Sequence, residues 1–539
     1  MKDFVTCAPP TDETRALLGY ISDLEKALDG KKYGLIFERH RETVDGLLDG
    51  HAPVLTEERD LFIDNGGQAN FIIEGDNLAS LKLLEKTRRG AIDLIYIDPP
   101  YNTGKNDFAY DDTFVDANDT FRHSKWLSFM EKRLELARRL LNEYGIIFMS
   151  IDDNEMAQLK ILCDGVFGES NHLLTVCVNR PSEIASNFAV SKHEYLLAYV
   201  KDMSRFQLRT VEKYSYSRGT VGNKDQTMPV IEFPAGLACK NIPDGVYEST
   251  RKVEGGMENI ENLSPIVVKD GKLAQPVKLK ARWRSSNDMR NFFKNGCQPT
   301  PAKINGTIVE IFFENDKFNP QIKKKTYEKI PSIYLDNKRG SDDLKALGLD
   351  GKFGFPKSVK FISYILSLFP KDCTVLDFFA GSGTTGHAVM ELNAEDGGER
   401  KFILCTNNEN DICRSVTYER VKRAINQNGF AASVKYFKVE YIPVANELYY
   451  EYADRLLPHI KELVELENGT YMGGNGEIAV LLDEDEAEAF FADEKRAEAC
   501  KKVYLGHDVL LDGRQERALE ERGTELNVVP EYYYGETEK

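Results

Sequence analysis

Residues 91–98 read AIDLIYID, and Pro99, Pro100 and Tyr101 follow at once. The run is almost continuously apolar between two sets of breakers, as strands buried on both faces are. Proline lacks a backbone N–H and fixes φ near about −65°, so the ladder stops at Asp98 and the chain beyond it is stiff. Such a strand belongs in the middle of a parallel sheet covered by helices. A carboxylate at its tip then stands at the edge where open α/β sheets bind ligands.

The flanking sequence supplies the layers. FIIEGDNLASLKLLEKTRRG predicts a short strand at 71–73, a turn at Gly75-Asp76-Asn77 and a helix. An amphipathic helix over 126–145, a strand at 146–152 and the helix NEMAQLKILCDGVFG follow. Strands alternating with helices predict a parallel sheet. The pattern lapses over 171–350, where strands are short and turns frequent. It resumes with a helix at 355–369, a strand at 373–379, a glycine turn and helix, and a strand at 401–409. The predicted domains are a helical segment at 1–60, with helical spacing over 13–50, and α/β halves at 61–170 and 351–435. Between the halves lies an inserted, mostly β or mixed module at 171–350, and an acidic helical or α+β domain occupies 436–539.

The formal net charge of −17 hides an asymmetry. The inserted module is net basic, with KLKARWR at 278–284 and Lys323–Lys325, while 440–539 is strongly acidic. Charge contrast between regions says more about partners than the total. The lysine run either grips phosphate or forms a solvated face. The acidic end suits dimer contacts or a partner protein. Nine cysteines include no CxxC pair, so no metal site is expected, and an odd count without an export signal reads as reduced thiols. No apolar run reaches the length of a membrane span, and the N-terminus lacks a signal-peptide core. A cytoplasmic protein away from membranes is expected. No Walker-type phosphate loop is present, so the chain does not read as an ATP-driven translocase.

LDFFAGSGTTGHAV at 376–389 is strand, glycine turn, helix. Gly381 and Gly383 let a ligand approach the backbone, and the helix N-terminus offers N–H groups. The spacing is not that of a dinucleotide fingerprint. Asp377 at the strand tip suits an ammonium group. Glu409, after the next strand, stands where a ribose-hydroxyl acceptor sits in nucleotide-type units. An amino-acid group and a ribose in one ligand point to S-adenosylmethionine.

Asp98, the Pro99 carbonyl and the Tyr101 ring fit an amine on a planar heterocycle. Its two N–H groups donate to Asp98 and Pro99, and the ring stacks on Tyr101. Fixed acceptors favour a tetrahedral nitrogen and stabilise the positive charge gained during attack. A base in duplex DNA reaches such a pocket only when flipped out. These residues alone leave adenine, cytosine and glutamine amides open.

IDPPYNTG with FFAGSGTT resembles amino-methyltransferases acting on DNA bases, and DPPY is their adenine-N6 variant. The amine motif precedes the basic module and the cofactor turn follows it, as in the permuted β class. GDNLASLKLL (75–84), residues 126–155 and SKHEYLLAYVK (191–201) are similar to modification subunits of Type III restriction–modification systems and solitary relatives. The resemblance implies a Rossmann-like fold with a mixed seven-stranded sheet and the inserted module as target recognition domain. It implies catalytic roles for Asp98, Pro99, Pro100 and Tyr101. It implies cofactor contacts from Asp377, Phe378, Phe379, Ala380, Gly381, Ser382, Gly383 and Thr384. Asp76 and Asn77 are further candidates, with helix capping the alternative for Asp76, and Lys357 and Glu409 complete the set. His193 and His387 read as structural, and Asp152 and Asp153 as helix caps or pocket groups. Double-stranded DNA, a second copy of the chain and a helicase–nuclease restriction subunit are the implied partners. A relative that binds DNA without methylating it would show damage to one motif, and both are intact. Relatives acting on RNA or protein amides commonly carry asparagine before PPY and lack the large insertion.

Overall fold

The computed structural model describes residues 36–529 apart from 105–107, 111–112, 117, 186–187, 207–211, 222–226, 250–259, 305, 316, 328, 445–454, 473–475 and 507. Most of the helical reading over 13–50 therefore lies outside the described residues, and Thr43–Gly50 is helix. The chain forms two compact units. One joins the two ends of the chain, up to Gln207 and from Pro331, and the other is Leu208–Ile330.

A ten-stranded mixed sheet organises the larger unit. Its strands are β1 (His51–Glu57), β2 (Gln68–Glu74), β3 (Ile92–Ile97), β4 (Leu141–Ile151) and β5 (His172–Ala185), then β6 (Val190–Val200), β7 (Ile333–Leu335), β8 (Thr374–Asp377), β9 (Lys401–Thr406) and β10 (Ala432–Pro443). Their spatial order is β1-β10-β2-β9-β8-β3-β4-β6-β5-β7. β6 runs against both neighbours and β1 against β10, while the other pairings are parallel. The seven strands from β2 to β5 are the expected sheet. β1, β10 and β7 extend it, and the edges β1 and β7 are half-exposed and lack the apolar runs that mark the centre.

Helices cover both faces, which is why β3 reads as an apolar run. Ile95, Ile97, Ile147 and Met149 join one core with α1 (Asn77–Arg88), α2 (Arg122–Leu140) and α3 (Met156–Phe167). Alternate residues face the other way. There Phe148 meets Phe369, just after α4 (Val359–Ser367). Gly386 of α5 (Thr384–Asp396) lies against Leu404 and Phe402. Each buried Ile or Leu of β3 stabilises the fold by roughly 1.5–3 kcal/mol.

Two domain limits differ from the sequence reading. The insertion is Leu208–Ile330, not 171–350, because β5, β6 and β7 belong to the large sheet. The first half of β6 is polar and only Leu196–Val200 is a buried run, so the strand resembled the short strands that follow it. The limit drawn at 435/436 cuts through β10. Beyond β10, parallel strands Ile478–Leu481, Lys502–Leu505 and Glu525–Val528 alternate with helices, so this end is α/β.

In the smaller unit, Glu212–Arg218 and Pro320–Tyr327 pair antiparallel in a four-stranded sheet. Two three-stranded sheets and the helix Ser286–Lys294 complete it. Among the described residues no helix is long and apolar enough to cross a membrane, and no group of three His, Cys, Asp or Glu side chains is placed to hold a metal ion.

Candidate active site

β8 lies beside β3, with Val375 opposite Leu94 and Leu376 opposite Ile95. The tips carrying Asp98 and Asp377 are therefore neighbours. The loop beyond Asp98 is pinned twice. Trp126, fully buried in α2, donates from Nε1 to the Pro100 carbonyl at 2.7 Å. Asn102 sits buried at φ 56° and donates to Glu155 Oε1 at 2.5 Å and to the Arg122 carbonyl at 3.2 Å. A left-handed asparagine persists where its surroundings over-determine it. Burial pushes the Glu155 carboxyl up to about 8.

Four charged groups meet at the Asp98 tip. Lys357 Nζ lies 3.0 Å from Asp98 Oδ1 and 3.0 Å from Glu194 Oε1. It also donates to the Tyr101 hydroxyl at 2.7 Å. That hydroxyl, with one proton, lies 2.9 Å from Asp98 Oδ1 and 3.1 Å from Glu194 Oε2. Arg180 Nε approaches Glu194 at 3.3 Å. Two cations thus balance two carboxylates. Burial raises Asp98 against the pull of Lys357. Burial acts likewise on Glu194, but Lys357 and Arg180 hold it below the ordinary value. Burial would lower Lys357, and the two carboxylates overcome it.

At the Asp377 tip the carboxylate is held by neutral donors, and one arginine braces the glycine turn beyond it. Asp377, 3% exposed, accepts from the Phe379 backbone N–H at 3.0 Å and from the Thr385 hydroxyl at 2.5 Å. Burial pushes its carboxyl up to about 7. Gly381 and Gly383 have φ of 46° and 75°. A Cβ on Gly381 would stand 3.1 Å from the Phe353 ring, and one on Gly383 3.2 Å from Thr417. Arg420, fully buried, donates to Ser382 Oγ at 3.0 Å and Thr384 Oγ1 at 2.7 Å. The Ala380 N–H reaches the Cys405 carbonyl. Buried Phe378 and half-buried Phe379 pack at 5.3 Å, and the Phe378 carbonyl accepts from Asn77 at 3.1 Å.

Asp76 caps α1, accepting from the Leu78 and Ala79 N–H groups, and stays partly exposed. Glu409 is exposed in the turn after β9, where Asn410 and Asp411 also have positive φ. Lys357, read as a cofactor contact, lies between the two strand tips. Its ammonium turns to Asp98, and only its carbonyl meets the glycine turn, through the Thr384 hydroxyl at 3.3 Å. His193 lies 3.1 Å from the Tyr195 hydroxyl, which donates to Asp153. His387 is buried in α5. Glu194, Arg180, Arg420 and Trp126 had not been singled out. Glu194 follows His193 directly in SKHEYLL, so the nearest signal was one residue away.

A family model described as DNA methylase matches residues 92–418. The chain is 34% identical over 394 residues to the Type III restriction-modification enzyme StyLTI Mod subunit of Salmonella typhimurium, covering 68% of this chain and 57% of that one. It therefore spans little more than half the length of that relative. It is 32% identical over 394 residues to the Type II methyltransferase M.KpnI of Klebsiella pneumoniae, covering 70% of this chain and 90% of that one. Among solved structures, the DNA modification methylase TTHA0409 of Thermus thermophilus, complexed with S-adenosyl-L-methionine, covers 68% of this chain and 97% of its own. The identity is 12% and the TM-score 0.33.

Proposed function

The chain belongs to the DNA methylase family, and on that premise we propose that it methylates the N6 amine of adenine in DNA, taking the methyl group from S-adenosylmethionine. The observation that carries this is the adjacency of the two strand tips. A rigid amine acceptor at Asp98 stands beside a buried, ligand-shaped turn at Asp377.

The turn fits S-adenosylmethionine. Its glycines take positive φ and let Phe353 and Thr417 pack closely on the turn, so its backbone holds a shape that side chains would disturb. Asp377 and Asp76 offer carboxylates to an ammonium, and Phe379 and Phe353 offer apolar surface. Glu409 takes the ribose hydroxyls. When bound, the sulfonium supplies an already activated methyl group, so the protein mainly aligns the acceptor. Asp98 and the Pro99 carbonyl take the two N–H bonds of the amine and favour charge developing on nitrogen. The Tyr101 ring replaces the stacking that a flipped base loses.

We assign DNA recognition to the insertion. The lysine run splits across its strand. Lys323 and Lys325 face Tyr216 and Tyr214 on the neighbouring strand, whereas Lys324 shares the side of buried Ile322. Lys323 lies 4.5 Å over the Tyr214 ring, and Tyr214 and Tyr216 are more than half exposed. Cations interleaved with exposed rings suit phosphate and base contacts. In KLKARWR, Lys278 and Lys280 oppose Glu232 and Glu261, much as Lys323 opposes Glu310, but Trp283 is buried and offers no exposed ring.

The relatives named as Mod subunits support a place as the modification component of a cytoplasmic restriction–modification system, or as a solitary relative. A homodimer and a helicase–nuclease subunit belong to that reading. The test is sequencing of N6-methyladenine in DNA from cells with and without the gene. A site-specific loss is expected, and no difference between the two would sink the proposal.

A further inference from the structure

β6 is antiparallel, so the beginning of this strand, not its end, reaches the rim where Asp98 stands. That brings buried Glu194 to Lys357. The ammonium has three protons and finds Asp98, the Tyr101 hydroxyl and both Glu194 oxygens within 2.7–3.1 Å. It rests against Asp98, the carboxylate that the amine-holding reading assigns to substrate. An ammonium left there blocks the incoming amine. It also opposes the positive charge that nitrogen gains during transfer, because like charges this close repel strongly.

We propose that Glu194 is a positioning residue that draws Lys357 off Asp98 and cancels its charge when the target amine enters. The inference rests on the adenine-N6 reading. Glu194 offers two oxygens to the ammonium and is itself backed by Arg180, so Lys357 keeps charge-assisted bonds after leaving Asp98. Tyr101 follows the exchange, because its single proton can pass from Asp98 to Glu194. Asp98 is then the unpaired carboxylate that the reaction uses.

The test is a double-mutant cycle on Glu194→Gln and Lys357→Met, with duplex DNA carrying the sequence mapped in the wild type. Glu194→Gln keeps shape and removes charge. It should lower kcat/KM by about 100-fold, on the scale of a lost charge-assisted bond beside the reacting atom. Affinity for S-adenosylmethionine, measured by calorimetry, should stay within about threefold, which also certifies folding. Adding Lys357→Met should restore at least about tenfold of the loss, because the uncompensated ammonium is gone. A double variant no better than Glu194→Gln would overturn the proposal, as would a Glu194→Gln enzyme with wild-type kcat/KM. Wild-type protein that leaves N6 unmethylated would instead defeat the underlying reading, so the two failures are distinct.

Discussion

Asp98 and Asp377 end neighbouring parallel strands, yet their surroundings differ in kind. Asp98 sits among two cations and another carboxylate, whereas Asp377 is held by a hydroxyl and a backbone N–H. In the proposed reaction Asp98 faces developing positive charge, and the Lys357 ammonium beside it favours the ionised form against burial. Asp377 shapes its turn through neutral donors, burial pushes its carboxyl up to about 7, and in the proposed function it meets the cofactor's ammonium. Position in the sheet made both residues candidates. Their neighbours separate the roles.

The sharpest way to break this contrast is substitution at the two tips. Asp98→Ala should lower methyl transfer by at least about a thousandfold, the scale of a lost transition-state acceptor, with cofactor binding kept. Radiolabelled methyl incorporation and calorimetry measure the two halves. Asp377→Ala should do the opposite, weakening cofactor affinity by about 10- to 100-fold, as expected for one charged hydrogen-bonding partner. Equal loss of affinity in both variants would erase the distinction.

Acidity gives the next test. In the proposed mechanism the negative charge of ionised Asp98 stabilises the amine as it gains positive charge. Since its carboxyl is raised, kcat/KM should fall with decreasing pH at a higher pH than for an ordinary carboxylate. Asp377 is raised from the ordinary 3.8 to about 7 in the folded chain. The folded state therefore holds that proton longer than the unfolded state. The stability it contributes is present below the unfolded value and is lost as pH rises through about 7, by at most on the order of 4 kcal/mol. Cofactor-free Asp377→Asn should lose less stability than wild type between about pH 5 and 8 in denaturant titrations. Parallel curves would contradict the assignment.

The smallest effects concern what pins each loop. Glu155→Ala removes one of the two acceptors of the buried Asn102 amide and should destabilise the protein by about 2 kcal/mol, whereas Glu155→Gln should cost under about 1 kcal/mol. Arg420→Met should act on the other tip, weakening cofactor binding a few-fold through Ser382 and Thr384 while leaving DNA affinity alone. Crossed effects would mean that the two tips are supported in common.

Most of the central sheet was legible because strands buried on both faces must be apolar along their length. AIDLIYID and CTVLDFF announced themselves in this way, and their breakers marked the tips. Legibility failed where one strand reverses. Along parallel strands, residues just after the apolar run face the ligand edge, and that rule located Asp98, Asp377 and Asp76. On β6 the rule inverts. Glu194 precedes its buried run, in a stretch that looked like surface. The outer strands and the limits of the insertion escaped for a related reason, since half-buried polar strands carry little signal in one sequence. Side-chain direction was also invisible. FPKSV marks Lys357 as a cofactor candidate, but nothing in it says that its ammonium turns to Asp98 while its carbonyl meets Thr384.

The insertion leaves and rejoins the chain as two paired antiparallel strands, Glu212 lying opposite Tyr327 and Arg218 opposite Gln321. Its ends are thus fastened to each other. Such a module behaves as a cassette. It can accumulate changes, or be exchanged whole between lineages, with little disturbance to the sheet that interrupts itself to carry it. On the proposed assignment of DNA recognition to this module, selection can change the target sequence while the residues at the strand tips stay still.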